Sequence, residues 1–344
     1  MFDNKVINHS FNIIDGGLTK ISIQITPNYI NLLNQAVSRE LQVSIQYILQ
    51  HSKMEKLLRK IIPENILLDK TTYEAMGKFL REFAIQEMKH AASIMERIYY
   101  LGGEATTKSN TPIIGETLSE FAKNGEKAEE EALELYRKII NAAGEIGDWE
   151  TRELFEKIYS DEESHLFKFQ EYINVENESE KLELHPSEWR KIFSDDYFKM
   201  LNKAVANEIS AIIQYTNQHE KVHLLVLRKK NTPLEVITES TKAKVMGELL
   251  EEIFKQEMEH LEKIAERIYL LEDEATYIPD PLPQIGKSAD DFLKLGHSAE
   301  NDTIILYRKI IAEALKRGDT TTRHMFEEIV IQEEEHYWKF DDFL

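Results

Sequence analysis

No cysteine occurs among the 344 residues. That excludes disulfides, thiolate zinc and iron–sulfur centres, and a nucleophilic cysteine, and it is compatible with a cytosolic protein. Long apolar runs are missing too. No window approaches the roughly 18 apolar residues of a membrane span, and the N-terminus lacks the basic region and apolar run of a secretory leader. A soluble, cytoplasmic protein with no membrane partner is the expectation. Basic residues are in short supply, 42 Lys and Arg against 62 Asp and Glu, for a formal net charge of −20. Phosphate backbones demand clustered Lys and Arg, so the balance argues against nucleic acid and for a cation as client.

What the chain has is room and repetition. With 42% hydrophobic residues it can bury more than one core, and two domains of ordinary size are expected. Four Glu-x-x-His motifs fall into two pairs, Glu87/His90 with Glu162/His165 and Glu257/His260 with Glu333/His336. On a helix, positions i and i+3 share a face, so each motif points a carboxylate and an imidazole into one volume. A hard oxygen with a borderline nitrogen suits iron, manganese or zinc. A fifth copy, Glu220/His223, has no counterpart in the first half and is read as background in a Glu-rich chain.

The motifs sit inside a tandem duplication. Leu-Tyr-Arg-Lys-Ile-Ile at 135–140 recurs at 306–311, Gly147-Asp148 recurs as Gly318-Asp319, and Thr151-Arg152 as Thr322-Arg323. A polar, acidic stretch over 174–194, with Pro186, reads as the linker between copies covering 28–173 and 195–344. Residues 1–27 form an N-terminal extension, in which alternation over 11–25 around Asp15-Gly16-Gly17 suggests a β-hairpin.

Each copy parses into four long amphipathic helices, placed near Asn28–His51, Tyr73–Leu101, Thr117–Gly144 and Asp148–Tyr172, then Asp195–His223, Glu239–Leu271, Ser288–Arg317 and Asp319–Phe343. Thr26-Pro27, Gly102-Gly103 and the two Gly-Asp steps supply the stops and caps. The second-to-third connection is long, and in the second copy carries Pro279, Pro281 and Pro283, whereas the third-to-fourth is a tight Gly-Asp. The fold class is therefore all-α: two tandem four-helix bundles, each with one long crossover. The remaining helices carry charges in their apolar stripes, Glu40 and Glu208 on the first helix, Glu129 and Glu300 on the third. Burying one unpaired carboxylate costs several kcal/mol or forces protonation (~2–7 kcal/mol even for an unpaired polar group). Four per bundle need cations among them, and two divalent ions balance them. A single Glu on such a helix is usually a solvated or satisfied side chain; six residues repeated in order twice are not.

With these residues in place the chain resembles bacterioferritin and the wider ferritin-like di-iron superfamily. Glu87-Met88-Lys89-His90-Ala91 with Glu96-Arg97-Ile98, Asp161-Glu162-Glu163-Ser164-His165, Arg39-Glu40-Leu41 with Gln46-Tyr47, and the spacing of Glu129 to Glu162 carry the likeness. The resemblance implies Glu40 and Glu129 as terminal ligands, Glu87 and Glu162 as bridges and His90 and His165 as one nitrogen ligand per iron. In the second copy the roles fall to Glu208, Glu300, Glu257, Glu333, His260 and His336. It implies Tyr47 and Tyr215 as hydrogen-bond donors to the third-helix Glu, and Met88 and Met258 as haem ligands. The implied activity is that of a ferroxidase, with two Fe(II) oxidised by dioxygen or peroxide at one dinuclear centre per copy, for iron storage or detoxification. Zinc would be an inert mimic, and manganese shares the donor set. A homo-oligomer is expected.

Departures from the family are also legible. The sequence stops at Leu344 just after the fourth helix, without the family's short fifth helix, which counts against a hollow storage cage. Pro63 and Pro233 lengthen the first link in each copy, and Gln86 and Gln256 replace an acidic residue beside the bridging Glu. A rubrerythrin-like peroxidase would have a further Glu where Ala132 and Thr303 stand. A dimanganese catalase and a metal-free scaffold stay open as alternatives. Asp161 faces Gln332 at the matching position, so unequal sites are expected.

Overall fold

A computed structural model describes residues 7–9, 23–59, 66–175, 193–227 and 233–343. Among these residues, β1 (Ile7–His9) and β2 (Ile23–Ile25) pair antiparallel, with Asn8 opposite Gln24. The turn expected at Asp15-Gly16-Gly17 lies outside the described residues, as does most of the linker around Pro186. The first copy supplies α1 (Pro27–Arg59), α2 (Ile66–Tyr100), α3 (Leu118–Ile146) and α4 (Trp149–Val175). The second supplies α5 (Asp195–Leu227), α6 (Pro233–Leu270), α7 (Ala289–Arg317) and α8 (Thr320–Asp341). The chain is thus all-α apart from the short ladder, and its helices make the two tandem four-helix sets that the repeat implies. No described helix is long and apolar enough to cross a membrane.

The helices form where apolar side chains recur at helical spacing, and those stripes are the core. Leu33, Ala36, Val37 and Leu41 on α1 are fully buried, as are Leu201, Ala204, Val205 and Ile209 on α5. Burying a Leu, Ile or Phe is worth about 1.5–3 kcal/mol each. The helices that open each copy run further than the sequence suggests. Helix α1 continues past His51 to Arg59, α2 starts at Ile66 rather than Tyr73, and α6 starts at Pro233 rather than Glu239. The polar run Ser52-Lys53 looks like a loop, yet both side chains are buried, so tertiary packing overrides the local signal. Pro233 is tolerated because the first helical position needs no N–H partner.

Two devices set the joints between α3 and α4 and between α7 and α8. Gly147 and Gly318 take left-handed φ values of 75° and 71°, and the following Asp N–H bonds back to Ala143 and Ala314 at 2.8 and 2.9 Å. Asp148 and Asp319 then accept from the N–H groups of Thr151 and Thr322 at 3.2 and 3.1 Å, capping α4 and α8. Tyr29 and Tyr197 donate to the same two carboxylates at 3.0 Å, and Arg97 and Arg267 pair with them. The long crossovers are strapped along the first helix of each copy in matching ways. Asn34 donates to the Glu104 carbonyl and accepts from the Thr106 N–H, and Asn202 does the same with Glu274 and Thr276.

The chain forms two compact units, Met1–Ser44 with Ile85–Ser179, and Ile45–Ala84 with Glu180–Leu344. The sequence copies and the compact units thus divide the chain differently. Within the second unit, His51 and Arg81 pair with Glu262 at 3.1 and 2.7 Å, and the buried Lys53 reaches Glu274 at 2.9 Å. Each unit contains one complete carboxylate–histidine cluster.

Candidate metal centres

In the first unit, α1 brings Glu40, α2 Glu87 and His90, α3 Glu129, and α4 Glu162 and His165 to one point on the bundle axis. All six are buried, the four carboxylates at no more than 1% exposure. The i, i+3 spacing does what helix geometry requires: His90 Nδ1 lies 3.0 Å from Glu87 Oε2, and His165 Nδ1 lies 3.3 Å from Glu162 Oε2. The cross contacts are more telling. His90 Nδ1 also lies 3.1 Å from Glu162 Oε1, and His165 Nδ1 lies 2.8 Å from Glu87 Oε1. Each of these two carboxylates therefore offers one oxygen to each histidine.

The second unit repeats the pattern from α5 (Glu208), α6 (Glu257, His260), α7 (Glu300) and α8 (Glu333, His336). His260 Nδ1 lies 3.0 Å from Glu257 and 2.9 Å from Glu333, and His336 Nδ1 lies 3.1 and 3.6 Å from the other oxygens of the same pair. The two rings are 6.0 Å apart here and 6.3 Å in the first centre. Both clusters resolve into two overlapping sets of four donors within 4.8 Å of one another: Glu40, Glu87, His90 and Glu162, and Glu87, Glu129, Glu162 and His165, with the matching sets in the second copy. The shared members are Glu87 and Glu162, and Glu257 and Glu333. Two adjacent divalent ions with a pair of carboxylates between them fit this donor set.

The far sides of three of the four rings are held as well. His90 Nε2 faces Asp161 at 3.2 Å, His260 Nε2 faces Gln332 Oε1 at 2.9 Å, and His336 Nε2 faces Gln256 Oε1 at 2.7 Å. An Nε2–H donated to these oxygens leaves Nδ1 aimed at the metal position. Tyr215 donates to Glu300, and Tyr47 is fully buried at the same register of the first copy. Sequence reasoning missed the second tyrosine pair, Tyr136 to Glu40 and Tyr307 to Glu208. Its signal was present in the repeated Leu-Tyr-Arg-Lys, seven residues beyond each third-helix Glu. Burial, then the nearby carboxylates, holds the Tyr215 and Tyr307 phenols well above their ordinary range, so both act only as donors. The stray Glu220 is not in either cluster and pairs with His219 at 3.4 Å. Met88 and Met258 are buried helix side chains.

Electrostatics separates the carboxylates into two kinds. Burial, then the charges of Glu162 and Glu87, pushes Glu40 and Glu129 well above the usual carboxylate range, and Glu208 and Glu300 rise through burial and then Glu257 and Glu333. Burial opposes charge on Glu87 and Glu257 too, but His165 and His90, and His336 and His260, outweigh it and hold both below that range. Burial also disfavours the charged imidazoles, yet Glu87 and its neighbours carry His165 up to about 11, and Glu257 and Glu333 carry His336 up to about 9. His90 and His260 are raised as well, by carboxylates that overcome the same burial. A metal-free centre is thus self-neutralising, with protons standing where cations would go.

A model of the ferritin-like domain matches residues 30–178 and 233–344. Over 138 residues the chain is 31% identical to bacterioferritin of Desulfovibrio desulfuricans, covering 40% of this chain and 69% of that protein. Bacterioferritin of Brucella melitensis is 28% identical over 141 residues, covering 41% of this chain and 79% of that one. Among solved structures, bacterioferritin of Rhodobacter capsulatus, described with a metal-free dinuclear site and a heme iron, is 30% identical. It covers 43% of this chain and 84% of that chain with a TM-score of 0.37.

Proposed function

Since the chain belongs to the ferritin-like domain family, with matches in both of its copies, we propose that it is a bacterioferritin-like ferroxidase that oxidises Fe(II) with dioxygen or peroxide at one dinuclear centre per copy, for iron storage or detoxification. The observation that carries this reading is the crossed arrangement in which each of two buried carboxylates offers one oxygen to each of two histidines, twice in one chain.

Glu87 and Glu162, and Glu257 and Glu333, are assigned as bridges; Glu40, Glu129, Glu208 and Glu300 as terminal ligands; His90, His165, His260 and His336 as the nitrogen ligands. Iron would supply the redox chemistry, one electron from each ion of the pair. The chain supplies four carboxylates per centre, which would stabilise the higher charge of the oxidised pair. Tyr136 and Tyr307 hold the first-helix Glu in place, and Asp161, Gln332 and Gln256 orient the rings. For assembly we propose contacts between copies of the chain. Phe167 and Trp338 are 70% and 60% exposed at matching places on α4 and α8, and such contacts would cover them.

Anaerobic Fe(II) titration of metal-free protein, followed by an O2 pulse with absorbance and oxygen uptake recorded, tests the activity. Saturation near about four irons per chain and rapid oxidation are the expected results, both lost in a Glu87→Ala/Glu257→Ala variant. Binding without oxidation would refute the ferroxidase reading and favour manganese chemistry.

A further inference from the structure

The two centres share their ligands but not their surroundings. A cavity of about 320 Å³ beside α5 and α7 is lined by Glu208, Glu257, Glu300 and Glu333 together with Lys203, Asn207 and Asp302. It joins four members of the second cluster to polar residues, of which Asp302 and Lys203 carry charge. The register of the duplication, Glu40 with Glu208 and Glu129 with Glu300, places Arg39 where Asn207 stands and Glu131 where Asp302 stands. Those two residues are an ion pair, Arg39 Nη1 to Glu131 Oε2 at 3.1 Å, with the arginine side chain 7% exposed and the glutamate 57%.

The neighbouring positions point the same way. Gln42 and Val43 replace Ser210 and Ala211, so with Arg39 and Glu131 four lining positions carry larger side chains in the first copy, against two smaller, Ala132 for Thr303 and Gln35 for Lys203. Gln42 and Val43 are both buried. The first unit does have a polar vestibule of about 810 Å³ on this side, and Arg39 and Glu131 are in its lining. None of the six cluster residues lines it. The guanidinium Nε and Nη2 are buried and find no hydrogen-bond partner among the described residues.

We infer that Arg39 and Glu131 close the first centre, so that cations enter the second centre through an open cavity and the first only when this pair parts. The inference rests on the proposed dinuclear metal sites. The test is stopped-flow mixing of the metal-free full chain with Co(II), followed by its visible d–d absorption, which requires no oxidation. Two phases of equal amplitude are expected. Glu257→Ala should leave the slow one and Glu87→Ala the fast one. Arg39→Asn should accelerate the slow phase by up to about fivefold, the scale of losing one partly exposed ion pair, and Asn207→Arg should retard the fast phase. If Arg39→Asn does not fold, Asn207→Arg carries the test alone. About four Co(II) bound per chain in a single phase, or two phases that neither substitution moves, would overturn the inference and leave the metal sites standing. No Co(II) bound at all would overturn both.

Discussion

Loading either centre with metal should expel protons, and the structure sets how many. Take the second copy near pH 7. Burial, then Glu257 and Glu333, lifts Glu208 and Glu300 well above the carboxylate range and so favours their neutral form. His260 and His336 are cationic, the latter up to about 9, because the same two carboxylates overcome burial. A metal needs ionised carboxylates and neutral imidazoles, so two carboxyl and two imidazolium protons must leave, about four per centre. Two divalent ions replace them and the core stays neutral. The sign of the pH dependence follows: protons compete with metal, so binding tightens as pH rises. The slope falls by about one proton per centre as pH rises through about 9, where His336 deprotonates. Mixing metal-free protein with Zn(II) in weakly buffered solution, with a pH indicator as reporter, gives the count directly. Release of fewer than about two protons per centre would refute the charge assignment, because the imidazoles would then already be neutral or the terminal carboxyls ionised.

Three further outcomes follow from the same coordinates. His336 is raised from the ordinary imidazole value of about 6.5 to about 9 on folding, so its stabilising contribution is full below about pH 6.5 and is lost as pH rises through about 9; the melting temperature of the metal-free protein should fall over that interval, and that of the metal-loaded protein should not. Gly296→Ala would place a methyl 2.6 Å from the ring of the fully buried Phe340, and its overpacking penalty of about 1–3 kcal/mol should exceed the helix gain of about 0.5–1 kcal/mol, seen as a lower denaturant midpoint. Asp319→Ala removes a helix cap and the partner of Arg267 and should lose about 3 kcal/mol or more in urea unfolding, while Asp319→Asn retains a larger share.

The sequence made the two carboxylate–histidine clusters legible because side chains that meet on helices stand at fixed spacings, and duplication printed those spacings twice. Helix number, crossover and the Gly-Asp joints were legible for the same reason: caps and stops are local chemistry. The extra length of α1 and α2 was not, since Ser52 and Lys53 look like solvated residues until a partner such as Glu274 is brought to Lys53 from 221 positions away. Nor was the Tyr136 and Tyr307 bracing, because a Tyr on an apolar stripe reads as core until the opposing carboxylate is in place. The Arg39–Glu131 pair is a third such case. Its two residues lie 92 positions apart, and each alone is an ordinary charge on a helix.

An assembly of identical single-copy subunits repeats any substitution in every site it contains. A chain that carries the bundle twice escapes that rule: a change near Glu40 need not be copied near Glu208. In any assembly of this chain the two kinds of cluster stand in a fixed ratio of one to one, set by the gene rather than by chance mixing of subunits. One kind can therefore drift toward a different task while the other keeps the original one.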